Sequence, residues 1–150
     1  MSKKSSKGSI KLTPEEFRYM ALLHEITGVH VRDCIIDEEN DRIVFLVNPG
    51  EVGKAVGPRG IYVQKLRKLL GKNIEIVGYS DKLEEQVKYA LAPARVKEVR
   101  IANRPGGKKV VYVSVEPSDK GLAIGRGGKN VAKARLILQR YFDVDSIIIA

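Results

Sequence analysis

The sequence predicts an α+β fold built from two consecutive copies of one unit, each with the element order α-β-β-α-α-β. The first observation is a repeat, since Gly53 and Gly57 are followed 68 positions later by Gly121 and Gly125. The second is that helix-like and strand-like patterns occur in the same order around both copies. The third is length, because 150 residues accommodate two small domains.

These observations divide the chain into three predicted segments. Residues 1–12 contain four lysines and no acidic residue, so we expect a flexible basic tail there. The first domain is predicted over residues 13–80 and the second over 81–150. The tail has no apolar stretch of the kind found in a signal peptide.

The first unit is predicted to open with a helix at Thr13–Glu16. A capping threonine, a proline at the first helical position and a glutamate three residues after the cap are typical of a helix start. Gly28 is predicted to end the helix. One apolar stripe follows the start at helical spacing, formed by Tyr19, Leu22, Leu23 and Ile26.

Two β-strands are predicted next, over Val29–Asp37 and Arg42–Val47, because both runs are rich in β-branched residues and flank an acidic turn. Pro49 and Gly50 break the second strand. The remaining predicted elements of this unit are a short helix over Glu51–Val56, a helix over Ile61–Leu70 that Gly71 ends, and a strand over Ile74–Val77.

The second unit repeats this order. Asp81 and Glu84 occupy the places of Thr13 and Glu16 and predict a helix start. The apolar stripe of this helix is Leu83, Val87, Ala90 and Leu91. Strands are predicted over Val96–Ala102, Val110–Val115 and Ile147–Ile149, with a helix, a glycine turn and a second helix before the last strand.

Charge is distributed in a way that points to a polyanionic ligand. The net charge is +9, and residues 53–72 contain six basic residues and no acid. The equivalent residues 121–140 contain five basic residues and again no acid. Because ordinary solvated helices mix both signs, this separation favours a phosphate-facing surface.

Each glycine turn offers backbone N–H groups at the start of a helix, where the helix dipole also favours an anion. Arginine near such a turn can bind two phosphate oxygens at once through its planar guanidinium group. Pro58 has no N–H, so the first turn has one donor fewer than the second. The candidate contacts are Lys54, Gly57, Pro58, Arg59, Gly60, Lys65 and Arg67 in the first unit, and Gly125, Arg126, Gly127, Gly128, Lys129, Lys133 and Arg135 in the second.

Both turns, taken with the residue before them, resemble the Gly-x-x-Gly loop of the KH (K homology) RNA-binding domain. The matching segments are Val56–Gly60 and Ile124–Gly128. The resemblance implies two consecutive type II KH domains, each with a three-stranded sheet packed by helices, whose loops clamp about four nucleotides. It also implies an aliphatic groove for bases, lined by Val56, Val63, Ile124 and Val131. The absence of Trp and the 6% aromatic content disfavour an aromatic stacking platform.

The tandem arrangement, with Leu12–Phe17 and Val47–Lys54, resembles the archaeal branch of the NusA family of transcription factors. This resemblance spans residues 11–150 and implies binding of nascent single-stranded RNA near RNA polymerase, with an effect on pausing and termination. Tandem KH proteins also act on ribosomal RNA or in RNA processing. Sequence chemistry alone leaves that alternative open.

Enzymatic readings fit the sequence poorly. A phosphate-binding loop of the Walker type would need glycine at Ala123 and serine or threonine at Asn130. His24 and His30 are the only histidines and Cys34 the only cysteine, which disfavours a metal site. We therefore expect no enzymatic activity, metal or cofactor, and a nucleotide-binding enzyme is the disfavoured alternative.

The single cysteine excludes an intrachain disulfide and favours a cytoplasmic setting. No apolar run approaches the roughly 20 residues of a membrane helix. We expect a monomer that does not contact membranes.

Overall fold

A computed structural model gives the structure of residues 11–150. The predicted tail over residues 1–12 lies outside the described residues except for Lys11 and Leu12. The described chain divides into two compact units, Lys11–Ser80 and Asp81–Ala150. Each unit contains one three-stranded sheet and its helices, which confirms the predicted α+β class. No helix within residues 11–150 has both the length and the apolar character that crossing a membrane would require.

The first unit has its elements in the predicted order. They are α1 (Pro14–Thr27), β1 (Val31–Asp37), β2 (Arg42–Val47), a 3-10 turn (Pro49–Glu51), α2 (Val52–Val56), a second 3-10 turn (Pro58–Gly60), α3 (Ile61–Leu70) and β3 (Asn73–Gly78). Strand β2 is central, antiparallel to β1 and parallel to β3. The predicted bounds of β2 and α3 are confirmed to the residue, while β1 begins two residues later than predicted.

Helix α1 begins as its sequence predicts. The Glu16 N–H donates to Thr13 Oγ1 over 3.1 Å, and the Thr13 N–H donates to Glu16 Oε1 over 2.8 Å. Gly28 ends the helix in the left-handed conformation, with φ 78°, and its N–H donates to the His24 carbonyl. Both ends of α1 are therefore set by local residues.

The core of the first unit lies between the sheet and the helices. Leu23 of α1, Phe45 of β2 and Leu66 of α3 are fully buried and belong to one cluster. Burying each such side chain contributes about 1.5–3 kcal/mol to folding. Cys34 is also fully buried in this cluster.

The first sheet carries a buried ionic cluster at the turn between β1 and β2. Arg42 is 2% exposed, and its guanidinium donates to Asp37 over 2.7 Å and to Glu75 over 3.1 Å. Burial raises the pKa of the Asp37 carboxyl, but hydrogen bonds from Arg42 and Asn40 outweigh it and hold the pKa below its ordinary value. The pair is thus ionised and mutually satisfied at neutral pH.

The second unit has the same topology. Its elements are α4 (Leu83–Leu91), β4 (Val96–Arg104), a 3-10 turn (Pro105–Gly107), β5 (Lys108–Val115), a 3-10 turn (Pro117–Asp119), α5 (Lys120–Ile124), a 3-10 turn (Arg126–Gly128), α6 (Lys129–Phe142) and β6 (Ser146–Ile149). Central β5 is antiparallel to β4 and parallel to β6. Helix α6 has 14 residues against 10 in α3, so the repeat offset is lost before the last strand.

Two details of the second unit differ from the predictions. Helix α4 begins at Leu83 with Lys82 at its N-cap and no side-chain cap, so the equivalence of Asp81 with Thr13 was wrong. The hairpin is also longer than predicted, because β4 continues to Arg104 and β5 begins at Lys108. Gly106 and Gly107 both have positive φ and allow this tight turn.

A charged pair joins the start of β4 to the turn before α5. The Arg95 guanidinium donates to both carboxylate oxygens of Asp119, over 2.8 Å and 3.1 Å, and the Arg95 N–H adds a third bond of 2.8 Å. These hydrogen bonds lower the pKa of Asp119 to about 2. The pair fixes the turn that leads into α5.

Candidate nucleic-acid interface

Each unit presents its glycine segment as a loop between a short helix and a long one. The first loop, Gly57–Gly60, joins α2 to α3, and the second loop, Gly125–Gly128, joins α5 to α6. In the first loop the Gly57 N–H donates to Gly53 and the Gly60 N–H to Gly57, both over 2.9 Å. The second loop makes the same two bonds at 2.9 and 3.0 Å.

The backbones of the two loops are nearly the same. Gly57 has φ 83° and ψ 164°, and Gly125 has φ 80° and ψ 165°. The third position is left-handed in both, with φ 55° at Arg59 and 64° at Gly127. Arg59 adopts this conformation with a side chain, which costs about 1 kcal/mol relative to glycine. The two loops therefore have the same backbone shape although their residues differ.

Glycine at the first loop position is required by two separate constraints. A positive φ with an extended ψ is almost restricted to glycine. A Cβ at Gly57 would also lie 2.5 Å from Tyr62 Cδ2, and one at Gly125 would lie 2.7 Å from the Asn130 backbone nitrogen. Gly127 and Gly128 have no atom within 4 Å of a built Cβ, so their outer side is open.

Asn130 holds the second loop in place. Its Nδ2 donates to the carbonyls of Leu122 over 3.1 Å and Ala123 over 3.2 Å, and it lies 3.4 Å from the carbonyl of Leu91. These bonds tie the first turn of α6 to the end of α5. Sequence reasoning missed this role, because the first unit has Tyr62 at the equivalent place and the repeat gave no signal.

Most predicted contact residues lie at the surface around the two loops. The exposed ones are Lys54, Pro58, Arg59, Lys65, Arg67, Arg126, Gly127, Lys129 and Arg135. The half-buried ones are Val56, Gly57, Gly60, Ile124, Gly125 and Gly128. Within the described part of the chain, no carboxylate forms an ion pair with Arg59 or Arg126. Both loops are thus open to a ligand and carry uncompensated positive charge.

Lys133 is the exception among the predicted cations. It is 5% exposed, whereas its equivalent Lys65 lies at the surface. Helix α6 packs extensively against α4, whereas α3 touches α1 only sparsely, so the two long helices do not leave the same faces open. A direct phosphate contact from Lys133 does not agree with this burial.

Two exposed aliphatic side chains flank the loops and were not predicted as contacts. Ile61 directly follows the first loop and is 55% exposed, and Leu122 precedes the second loop and is 53% exposed. The predicted groove residues Val56, Val63, Ile124 and Val131 are half-buried. Each loop therefore combines a cation with an aliphatic surface, which suits the charged spine and the apolar base faces of a nucleic acid.

Across residues 11–150, no group of three or more His, Cys, Asp or Glu side chains is arranged to hold a metal ion. The chemistry available at the loops is that of backbone N–H groups, guanidinium and ammonium groups, and aliphatic carbon.

Comparisons with known proteins match both halves of the chain. Residues 18–81 match the family model of the KH domain, and residues 83–150 match that of the NusA-like second KH domain. The probable transcription termination protein NusA of Halococcus morrhuae is 38% identical, over 94% of this chain and 99% of the relative. The protein of the same name from Methanocaldococcus jannaschii is 30% identical, over 92% of this chain and 74% of the relative.

The same agreement holds at the level of three-dimensional structure. The crystal structure of APE1850 has a TM-score of 0.84 and 46% sequence identity to this chain. The similarity covers 93% of this chain and all of the APE1850 chain. The fold is thus similar to that of a solved structure over both halves of the chain.

Proposed function

Because the chain belongs to the NusA family, with a KH domain in each half, we propose that it is an RNA-binding factor of transcription termination. In this proposal the first and second loops each grip the backbone of single-stranded RNA. The names of the archaeal relatives, which describe transcription termination proteins, support the setting. The observation that carries the proposal is the pair of open loops with one backbone shape and no acid.

The loops supply three kinds of contact to an RNA strand. Gly57 and Gly125 leave room for the sugar–phosphate backbone to approach the protein chain. N–H groups at the starts of α3 and α6 face the phosphates, where the helix dipole favours negative charge. Arg59 and Arg126 add bidentate contacts. Each loop would hold about four nucleotides, so both together engage about eight.

We further propose that the RNA is the nascent transcript and that binding in the cytoplasm alters pausing and termination by RNA polymerase. Such a factor needs to hold RNA without cleaving it, which agrees with sites made of donors and cations. In this proposal the protein also contacts RNA polymerase, in addition to the transcript. The function is therefore one of binding, with the chemistry left to the polymerase.

The double substitution Arg126→Asp/Gly127→Asp tests the proposal. Two carboxylates facing a phosphate should weaken binding of a labelled single-stranded RNA by about 100-fold or more. The matched control is Gly28→Asp, because Gly28 also has positive φ and open space around a built Cβ but lies at the end of α1. Unchanged affinity of the loop variant, measured by fluorescence anisotropy, would contradict the assigned site.

Salt dependence gives a second readout of the same contact. For single strands, the slope of log affinity against log salt is about −0.7 per phosphate bound, so two loops with two or three phosphates each give about −3 to −4. A transcription assay with the cognate RNA polymerase then tests the setting. The loop variant should lose any effect on termination that the wild-type protein has.

A further inference from the structure

The outer face of the second sheet carries an exposed cluster of arginine, tyrosine and isoleucine. Arg100 of β4 pairs with Tyr112 of β5, which pairs with Ile148 of β6, so the three side chains lie in one row. Arg104 lies on the same side of β4, four residues beyond Arg100. We call these four residues the hairpin face. Both arginines are exposed, and Ile148 is 44% exposed.

Tyr112 holds the two guanidinium groups in place. Arg100 Cζ lies 5.2 Å and Arg104 Cζ 5.6 Å from the centroid of the Tyr112 ring. Both distances are within the range of a cation–π contact. Arg104 also donates a hydrogen bond to the Tyr112 hydroxyl. Contacts with Tyr112 therefore place the two guanidinium groups beside one ring on the sheet surface.

The hairpin that carries this cluster has a strongly positive net charge, and the equivalent hairpin of the first unit does not. Residues 96–115 contain five basic residues and one acid, whereas residues 31–47 contain two basic and five acidic residues. In the first unit, Arg42 is buried and paired with Asp37, and every residue of β2 is buried. The positive hairpin is thus a feature of the second unit alone and is not needed by the repeated fold.

We propose that the hairpin face is a further RNA-binding surface, separate from the second loop. Arg100 and Arg104 bind phosphate oxygens, and Ile148 offers an apolar contact to a neighbouring base. Tyr112 is a positioning residue that keeps both guanidinium groups in place. The inference rests on the proposed function, because it extends the path of the same single-stranded RNA beyond the loop.

The chemistry of the face favours a nucleic-acid strand over an acidic protein segment. The planar fork of arginine matches the geometry of phosphate oxygens, and two such groups beside each other suit the repeated charges of one strand. Guanidinium planes also stack on unpaired bases. A protein strand that paired with the edge of β4 would use backbone groups and would not require these side chains.

The double substitution Arg100→Gln/Arg104→Gln tests the inference. Two RNAs are titrated, one of about eight nucleotides, enough for the loops alone, and one about three times as long. Affinity for the long RNA should fall about tenfold, and its salt slope should become shallower by about 1.4 because two fewer phosphates are bound. Affinity for the short RNA should stay within about twofold of wild type, because that RNA does not reach the face.

A charge-matched control separates a site from general attraction. Lys82→Gln/Lys88→Gln removes the same charge from exposed positions of the same unit, at the N-cap and in the last turn of α4. This control should leave the ratio of the affinities for the long and the short RNA unchanged. An equal loss for both RNAs in the hairpin variant, or an equal effect in the control, would overturn the inference.

The outcomes also distinguish this inference from the function on which it rests. If the loop variant loses RNA while the hairpin variant binds the long RNA as wild type does, the hairpin face is not an RNA site and the proposed function stands. If the wild-type protein binds neither RNA, the proposed function fails and the inference fails with it. Tyr112→Ala should reproduce part of the arginine effect on the long RNA, and an unchanged affinity would refute the positioning role.

Discussion

The first and second loops share a backbone but present their side chains in opposite order. Lys54 and Leu122 occupy equivalent places before the loops, and Ile61 and Lys129 occupy equivalent places after them. The first loop is thus preceded by a cation and followed by an aliphatic side chain, and the second has the reverse. The two loops therefore share a backbone geometry that glycine makes possible, and they differ in the order of their side chains.

Arginine placement differs in the same way. Arg59 stands at the third position of the first loop and Arg126 at the second position of the second loop. Both loops have glycine at their first and last positions, where the chain turns sharply. The two middle positions differ between the units. The backbone shape is therefore a requirement of the fold, whereas the order of the side chains can differ between the two units.

The buried ionic pair gives the largest expected effect. Arg42 and Asp37 in the first unit stand where Val110 and Ala102 stand in the second. Arg42→Val leaves the Asp37 carboxylate buried without its main partner, which should lower the free energy of unfolding by about 3–5 kcal/mol. Urea denaturation measures this loss.

The double substitution Arg42→Val/Asp37→Ala is the matched comparison, because it copies the apolar pair of the second unit. It should unfold within about 1 kcal/mol of wild type, since both charges are removed together. A double variant as unstable as the single one would show that the two units cannot exchange this pair.

The loop glycines give the next effect in size. Gly125→Ala forces a Cβ to within 2.7 Å of the Asn130 backbone nitrogen at a φ of 80°. Backbone strain and the clash together should lower the free energy of unfolding by about 3 kcal/mol. Gly57→Ala should cost somewhat less, because the nearest atoms, at 2.5–2.9 Å, belong to the Tyr62 and Ile61 side chains and none of them to the backbone.

Gly121→Ala is the control for this comparison. Gly121 lies within α5, its φ is not positive, and nothing lies within 4 Å of a built Cβ. Alanine should therefore stabilise the chain by about 0.5–1 kcal/mol, as expected inside a helix. The melting temperature should therefore rise from Gly125→Ala through Gly57→Ala to Gly121→Ala. The reverse order in thermal denaturation would contradict this account.

The smallest effect concerns the third position of the first loop. Arg59→Gly makes this position like Gly127 and removes the left-handed strain, so the protein should gain about 1 kcal/mol of stability. The same change should weaken RNA binding, because it removes a cation. Opposite changes in denaturation midpoint and in RNA affinity would support the interpretation, and a loss of both would refute it.

Local sequence signals predicted most of the fold. The cap at Thr13, the β-branched run of β2 and the glycines after α1 and α3 each determine structure through nearby residues, and each of these predictions is confirmed. The family resemblance that started from the two glycine segments is confirmed by relatives that cover nearly the whole chain. The cap predicted at Asp81 was wrong, because α4 begins at Leu83 and no capping side chain marks its start.

Parts of the candidate site depend on contacts between distant residues and were beyond sequence reasoning. The burial of Lys133 depends on how α6 packs against its neighbours. The match between Lys133 and Lys65 in the repeat does not predict that packing. The hydrogen bonds of Asn130 join residues up to 39 positions apart. Ile61 and Leu122 are exposed because little of the fold packs over them. Their hydrophobicity alone would predict that both side chains are buried.

The burial of Cys34 has a practical consequence. This thiol is the only one in the chain and is fully enclosed in the core, so the folded surface has no native site for maleimide reagents. A cysteine introduced at Gly53 or Gly121, where a new side chain meets no other atom, would be labelled alone. A fluorophore at each place in turn could then report the order in which an arriving strand reaches the two halves of the molecule.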